Sequence, residues 1–309
     1  MKLSELMSIS EFQLISKLKK LFPKTISSGI GDDCAVVFRD GIYELFSTDC
    51  MVEGVHFTLS ENDPYWIGWK LVAVNVSDIA AMGGTPKGIL LSWAIPANFD
   101  EIKLDLLAKG IADCAKTYGV EVMGGDTSKS LRDLFLNVAI WGQMTKPPIY
   151  RSGAKDNDSI FVTGKLGGSI LGRHLKVQPR VKEMQWLADF GINAALDISD
   201  GLLGDLGHIA EESKLFFEID EVKIPIHDDA KSLSFQSGKP ALFHALNDGE
   251  DFEIVFTVST EKVNSLLKSW PFDNCLYLIG NMSKDQPNRI QNRLGQKVKV
   301  EGKSFEHQF

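Results

Sequence analysis

The stretch from Pro64 to Gly84 constrains this chain more than any other. Pro64 suits a helix N-terminus, Trp66, Trp69, Leu71, Val72 and Ile79 supply a broad apolar face, and Gly83-Gly84 stops the run. The pattern predicts a helix over 64–82. Asn75 and Asp78 interrupt its apolar surface three residues apart, hence on one face. Burying a carboxylate in such a setting is costly unless something pairs with it. Any fold that buries this helix must therefore bring a partner for Asp78.

Around this helix the periodicity alternates between the two regular structures. Residues 9–20 read as a helix capped by Ser8 or Ser10, and residues 100–117 as an amphipathic helix ended by Gly119. Residues 43–48 alternate as a strand with Asp49 at its end, and residues 88–95 and 134–143 read as further strands. A short strand at 120–123 runs into Gly124-Gly-Asp-Thr127, which places Asp126 at a strand end. Lys146-Pro147-Pro148 breaks the pattern. Beyond it come a strand at 159–163, a glycine-rich turn, helical material enclosing Asp197 and Asp200, a strand near 251–258 and a helix at 260–269. The expectation is an α+β chain of two domains, 1–148 and 149–309. A hydrophobic share of 44% with 24% charged residues is enough to fill two cores.

Several function classes are excluded early. A net charge of −8 argues against nucleic acid or an anionic membrane as the main partner. No GxxxxGK[ST] is present, since Gly164-Lys165-Leu166-Gly167-Gly168-Ser169 lacks the spacing, and Asp189-Phe190-Gly191 has no kinase motifs before it. The six histidines show no zinc spacing, and the four cysteines are scattered without a CxxC pair, which fits a reducing compartment. The first residues lack an apolar signal core and no run approaches about 18 apolar residues, so a cytoplasmic protein is expected.

What remains is an excess of aspartates in turns and at strand ends: Asp32-Asp33 after Gly31, Asp49 after Ser47-Thr48, Asp78, Asp126 after two glycines, and the pair Asp197 and Asp200 around Ser199. Taken singly, each except Asp78 reads better as a cap or turn residue. No matching set of Arg or Lys is embedded in these motifs, so if the acids converge, cations must offset their repulsion. Hard cations with oxygen ligands suit that role, and Mg²⁺ is held by a few carboxylates together with substrate phosphates. The joint pattern favours several Mg²⁺ ions bridging a nucleoside triphosphate.

At these residues the chain resembles the thiamine-monophosphate kinase family of the aminoimidazole-ribonucleotide-synthetase superfamily. The matching segments are Gly29-Ile-Gly-Asp-Asp-Cys-Ala35, Ser47-Thr-Asp-Cys-Met-Val-Glu-Gly-Val-His-Phe57, Ala73-Val-Asn-Val-Ser-Asp-Ile-Ala-Ala-Met-Gly83, Gly124-Gly-Asp-Thr127, Arg151-Ser-Gly-Ala-Lys155, Asp197-Ile-Ser-Asp-Gly-Leu202 and Gly249-Glu-Asp-Phe-Glu253. The resemblance implies an N-terminal mixed sheet that pairs in a homodimer and a C-terminal α/β sandwich. It implies ATP-dependent phosphorylation of thiamine monophosphate to thiamine diphosphate, with neither nucleic acid nor membrane as partner. It assigns Asp33, Ser47, Thr48, Asp49, Asp78, Asp126, Asp197 and Asp200 to Mg²⁺. Gly125, Asp126, Arg151 and Ser199 are assigned to ATP, and His56, Glu250 and Phe305 to the acceptor. No residue is expected to serve as acid or base, because the nucleophile is a phosphate oxygen. Two departures stand out: the segment Gly168 to Arg180 is short with Val177 in place of a proline, and Ser128-Lys129-Ser130 replaces the usual Thr-Arg-Gly. Other ATP-using enzymes of the superfamily, of the selenophosphate or aminoimidazole ribonucleotide synthetase type, and a non-catalytic Mg-nucleotide-binding protein are the alternatives.

Overall fold

The computed structural model describes residues 10–22, 30–285, 287–292, 294 and 296–298. The first half runs α1 (Glu11–Leu21), β1 (Ala35–Arg39), β2 (Ile42–Val52), α2 (Pro64–Ala81), β3 (Thr85–Pro96), α3 (Glu101–Tyr118), β4 (Glu121–Ser130) and β5 (Phe135–Met144). Its five strands form a mixed sheet of order β1-β2-β5-β3-β4, antiparallel except for the β3–β4 pair. One face is the core, lined by Leu45, Ile89, Leu136, Val138 and Ile140 and covered by α2, against which α3 packs. The helices cross so closely that a Cβ on Gly68 would meet the Leu107 carbonyl oxygen at 2.1 Å, and one on Gly110 would meet that of Tyr65 at 1.8 Å. Only glycine fits at that crossing.

The second half runs β6 (Ser159–Val162), α4 (Val181–Phe190), β7 (Ala194–Asp197), α5 (Leu202–Glu212), β8 (Phe216–Asp220), α6 (Asp228–Ser237), α7 (Ala241–Asn247), β9 (Ile254–Val258), α8 (Val263–Ser269), β10 (Tyr277–Ser283), β11 (Arg289–Gln291) and β12 (Lys297–Val298). Its seven strands are ordered β12-β11-β8-β10-β6-β9-β7. Leu196, Leu202, Leu206, Ile209 and Val255 gather in one core, and Ala81 of α2 joins Met184, Leu187 and Ile254 in another. Thus α2 touches β2, β3 and β5 on one side and β7 and α4 on the other. A helix enclosed by both halves needs apolar residues nearly all round, which accounts for the composition of 64–82. Among the described residues no helix is long and apolar enough to cross a membrane.

Three expectations are corrected. β2 does not stop at Thr48. It continues to Val52 because β5 pairs with it as far as Val52↔Phe135, so Asp49 sits within a strand. β4 continues through Gly124-Gly125 to Ser130, because β3 pairs alongside to Pro96, and Asp126 is likewise within a strand. Asp197 and Asp200 are not in helical material: Asp197 ends β7, paired with Ile254, and Asp200 lies in the turn before α5.

Candidate active site

Strand alternation sends Ser47 and Asp49 of β2 toward α2 and Thr48 to the opposite face. Asn75 fixes β2 against the helix: its Oδ1 accepts the Asp49 main-chain N–H at 3.0 Å, while its Nδ2 donates to the Leu71 carbonyl at 2.9 Å. Asp78 accepts from the Ser47 hydroxyl at 2.5 Å. Ser77, on the neighbouring side of α2, donates to Asp197 Oδ2, so the helix carries polar contacts into both halves. Asp32 and Asp33 arrive from the segment before β1 and meet Arg151. The Arg151 main-chain N–H lies 3.3 and 3.2 Å from the Asp32 oxygens, and its guanidinium donates to Asp33 Oδ1 at 2.6 Å.

These carboxylates lie within electrostatic reach of one another. Burial raises Asp78 well above the ordinary carboxylate range, and Asp49, Asp197 and Asp33 raise it further, against the Ser47 hydrogen bond. Asp197 is pushed up to about 8 by burial and by Asp33, with Ser77 and Arg151 opposing. Asp49 is pushed up to about 6 by burial and Asp33, with Lys70 opposing. Asp32 is pushed up to about 7 by burial and Asp33. Asp33 is raised by burial in spite of Arg151. For Arg151 burial works against the charge, but Asp33 outweighs it and the guanidinium stays above its ordinary value. Two cations, half-buried Arg151 and buried Lys70, therefore stand against five acids.

The donor set fits a hard divalent cation. Asp33 Oδ2 is buried without a hydrogen-bond partner, and the buried Arg151 Nε stands 4.0 Å from Asp32, too far to bond. Among the described residues no three His, Cys, Asp or Glu side chains already form a finished metal shell. Mg²⁺ needs none, because substrate phosphates and water complete its octahedron around one or two carboxylates.

A second group lies beside the first. Lys70 of α2 is 1% exposed, donates to the His56 carbonyl at 3.4 Å, and is ion-paired with Glu250. His56 accepts the Val52 N–H on Nδ1 at 3.0 Å. Glu250 and Phe252 take left-handed backbone angles, φ 62 and 50, a strain of about 1–3 kcal/mol each for non-glycine residues. The loop is held there by the Glu250 N–H on the Ser199 carbonyl at 2.7 Å and the Phe252 N–H on that of Ile198 at 2.8 Å. Asp200 is adjacent, its N–H donating to buried Asp205 at 3.1 Å.

The expected set thus divides. Asp33, Ser47, Asp49, Asp78, Asp197 and Arg151 come together, with Ser199, Asp200, His56 and Glu250 on neighbouring loops. Thr48 and Asp126 are placed elsewhere: Thr48 opposes Ala139 and Asp126 opposes Ser92, both on the sheet face turned away from α2. The Thr48 hydroxyl donates to the Val138 carbonyl at 2.9 Å and accepts from the Asn137 amide at 2.9 Å. Gly125 precedes Asp126 on exposed β4, and Phe305 lies outside the described residues. Sequence reasoning missed Lys70, Ser77 and the Asp32–Arg151 contact. Lys70 was open to the test applied to Asp78, a charge within an apolar helix. The other two carried no local signal.

Known proteins match this arrangement over most of the chain. Residues 31–144 match the AIR synthase related protein N-terminal domain and residues 149–291 the corresponding C-terminal domain. A thiamine-monophosphate kinase of Rhodopirellula baltica is 39% identical over 247 residues, covering 77% of this chain and 78% of its own. One from Bacillus subtilis is 37% identical over 280 residues, with 82% and 85% covered. The solved structure of AaThiL complexed with AMPPCP and TMP superposes with a TM-score of 0.85 at 32% identity, covering 99% of both chains. With both domains matched in order and such identity over most of its length, the chain belongs to the AIR synthase related family, among the thiamine-monophosphate kinases.

Proposed function

We propose that this protein transfers the γ-phosphoryl group of ATP to thiamine monophosphate, giving thiamine diphosphate and ADP. The observation that carries the reading is the convergence of Asp33, Asp49, Asp78 and Asp197 from both halves of the chain, with Asp33 Oδ2 unpartnered. The related AaThiL, crystallised with AMPPCP and TMP, supports the choice of substrates.

Asp33, Asp49, Asp78 and Asp197, with Asp200 at the margin, would hold Mg²⁺, which when bound neutralises phosphate charge and aligns the transferring group. The residues of the chain do the rest. Asn75 fixes β2, Ser47 and Ser77 orient Asp78 and Asp197, and Arg151 holds Asp32 and Asp33 while offering its unpaired Nε to a phosphate. Ser199 and Gly125 would contact ATP, and His56 and Glu250, with Phe305, the acceptor. In the transfer an acceptor phosphate oxygen bonds to the γ-phosphorus as the bond to the β–γ bridging oxygen breaks, and ADP leaves. The attacking oxygen is ionised near neutral pH, since a phosphate monoester has its second pKa near about 6. No base is needed. Thr48 and Asp126 would take part only from the outer sheet face. The cytoplasmic setting belongs to the same proposal.

The test is ADP release in Mg-ATP with and without thiamine monophosphate. Release that rises at least about tenfold with the acceptor is expected. Release indifferent to it would remove this reading and favour another enzyme of the superfamily.

The same reading includes a homodimer. Phe46, Leu90 and Phe135 are exposed on the outer sheet face, and β4 is a ten-residue exposed edge strand. Such an edge and apolar surface are normally covered. Light scattering should give twice the mass of the chain at micromolar concentration, and a monomer across that range would refute the dimer.

A further inference from the structure

The glycine-rich turn Gly164-Lys-Leu-Gly-Gly-Ser169 lacks the spacing of a P-loop, yet its main-chain donors are aimed at carboxyl groups. The Gly167 N–H donates to Asp251 Oδ2 at 2.8 Å and the Gly168 N–H to Asp248 Oδ2 at 3.0 Å. Ser169, which is buried, donates its hydroxyl to the Gly249 carbonyl at 2.7 Å. Three successive residues of the turn therefore hold three of the four residues 248–251, and the fourth is Glu250. Side chains of the protein itself stand where a P-loop would seat phosphates.

The turn approaches this closely because two of its residues are glycine. Gly167 and Gly168 have φ of 89 and 74, and a Cβ on either would meet the main chain of Ala245 or of Ala230 at 2.5 Å. The anchors are themselves secured. Asp248 also bonds Nδ1 of buried His244 at 2.9 Å, and Nε2 of that ring lies 2.7 Å from the Ser237 hydroxyl. Asp251 also receives Arg173 at 2.9 Å. From the other side the Glu250 and Phe252 N–H groups reach Ser199 and Ile198, so the loop is gripped twice. Glu250 and Phe252 carry left-handed backbone angles that a free loop would relax. Releasing the turn's side would let Glu250 leave Lys70.

We propose that Ser169 and Asp248 are positioning residues for the acceptor: they hold Glu250 in the conformation that meets it, and the glycine-rich turn serves this loop rather than the nucleotide. This rests on thiamine monophosphate being the acceptor and on Glu250 contacting it. The nucleotide side is anchored separately, because Ser199 follows β7, whose Asp197 pairs with Ile254 of β9. Loss of the turn's grip therefore falls on acceptor binding.

The test is steady-state kinetics on Ser169→Ala, Asp248→Ala and Asp248→Asn, with amide hydrogen exchange over 247–253 in the same proteins without ligand. Ser169→Ala removes one hydrogen bond to the loop and Asp248→Ala removes those to Gly168 and His244, so KM for thiamine monophosphate should rise about five- to tenfold in each. At saturating acceptor kcat, like KM for Mg-ATP, should change less than about threefold, since only acceptor binding is lost. Asp248→Asn should stay within about twofold of wild type, because its amide oxygen still accepts from Gly168 and the His244 ring can offer its other tautomer to the amide nitrogen. Exchange at Glu250 and Phe252 should quicken at least about fivefold in the alanine variants while β9 keeps its protection. An unchanged acceptor KM in either alanine variant would overturn the proposal, as would an equal rise in KM for Mg-ATP. A loss in Asp248→Asn as large as in Asp248→Ala would also overturn it. Should Asp248→Ala not fold, Ser169→Ala decides alone, by the same two readouts. Failure of the underlying reading looks different: ADP release by wild-type protein would then be indifferent to thiamine monophosphate, while exchange would still report whether the turn holds Glu250.

Discussion

Asp78→Asn should abolish turnover while leaving the fold intact. Its carboxylate is half-buried and accepts from Ser47, and its charged form is disfavoured by desolvation and by Asp49, Asp197 and Asp33. Asparagine is nearly isosteric and can still accept from Ser47, so packing is preserved. It removes the charge that holds a divalent cation, and losing a comparable phosphoryl-transfer charge clamp costs roughly 10³-fold or more. Stability should move the other way. The folded-state carboxyls of Asp49, Asp32 and Asp197 titrate near 6, 7 and 8, whereas in the unfolded chain they titrate near about 4. Between those limits the folded state holds protons that the unfolded state has released. Stability in EDTA therefore falls as pH rises from about 4 to about 8. Removing one member of the cluster lessens that fall, so Asp78→Asn should melt at or above the wild-type temperature at pH 8. The readouts are thermal melting in EDTA and turnover in saturating Mg-ATP. A variant that melts markedly earlier yet turns over near the wild-type rate would identify Asp78 as a fold residue.

Chelating the divalent cation should weaken ATP binding at least about 100-fold, a loss of about 2.7 kcal/mol. A triphosphate approaching this site meets four acids, Asp33 and Asp197 buried and Asp49 and Asp78 half-buried, while Arg151 is already held by Asp33 and Lys70 by Glu250. Like charges in a poorly screened interior repel strongly, and the two committed cations leave little to offset a charge of about −4 on the nucleotide. Each Mg²⁺ reverses that balance locally, because it is shared between carboxylate and phosphate oxygens. Calorimetry in excess EDTA against millimolar Mg²⁺ measures the difference. Equal affinity in the two buffers would mean that the nucleotide is held by Arg151 and backbone groups alone, and the acids would need another role.

Much of this site was legible before folding, because its residues obey local rules. A carboxylate at 78 and an amide at 75 within an apolar helix are visible from periodicity alone, since burial of that face follows from its neighbours. Most element types of the first half, the glycine stop at 83–84 and the break at 146–148 were equally open, as backbone preference is set by nearby residues, whereas β7 read as helical.

What the sequence could not carry is which distant groups meet and which face of a strand they share. Ser47 and Asp49 face Asp78 while Thr48, between them, faces away, and Asp126 lies on the far side of the same sheet. That division depends on the register of β2 with β5 and of β3 with β4, and in a strand a single residue's shift exchanges the faces. The strands outran the ends suggested by their composition, because pairing partners decide where a strand stops. Arg151 meets Asp33 across 118 residues, Ser77 meets Asp197 across 120, and Lys70 meets Glu250 across 180. Those pairings answer the cost of burying each charge, and only the packing of α2 between two sheets decides which charges are buried together.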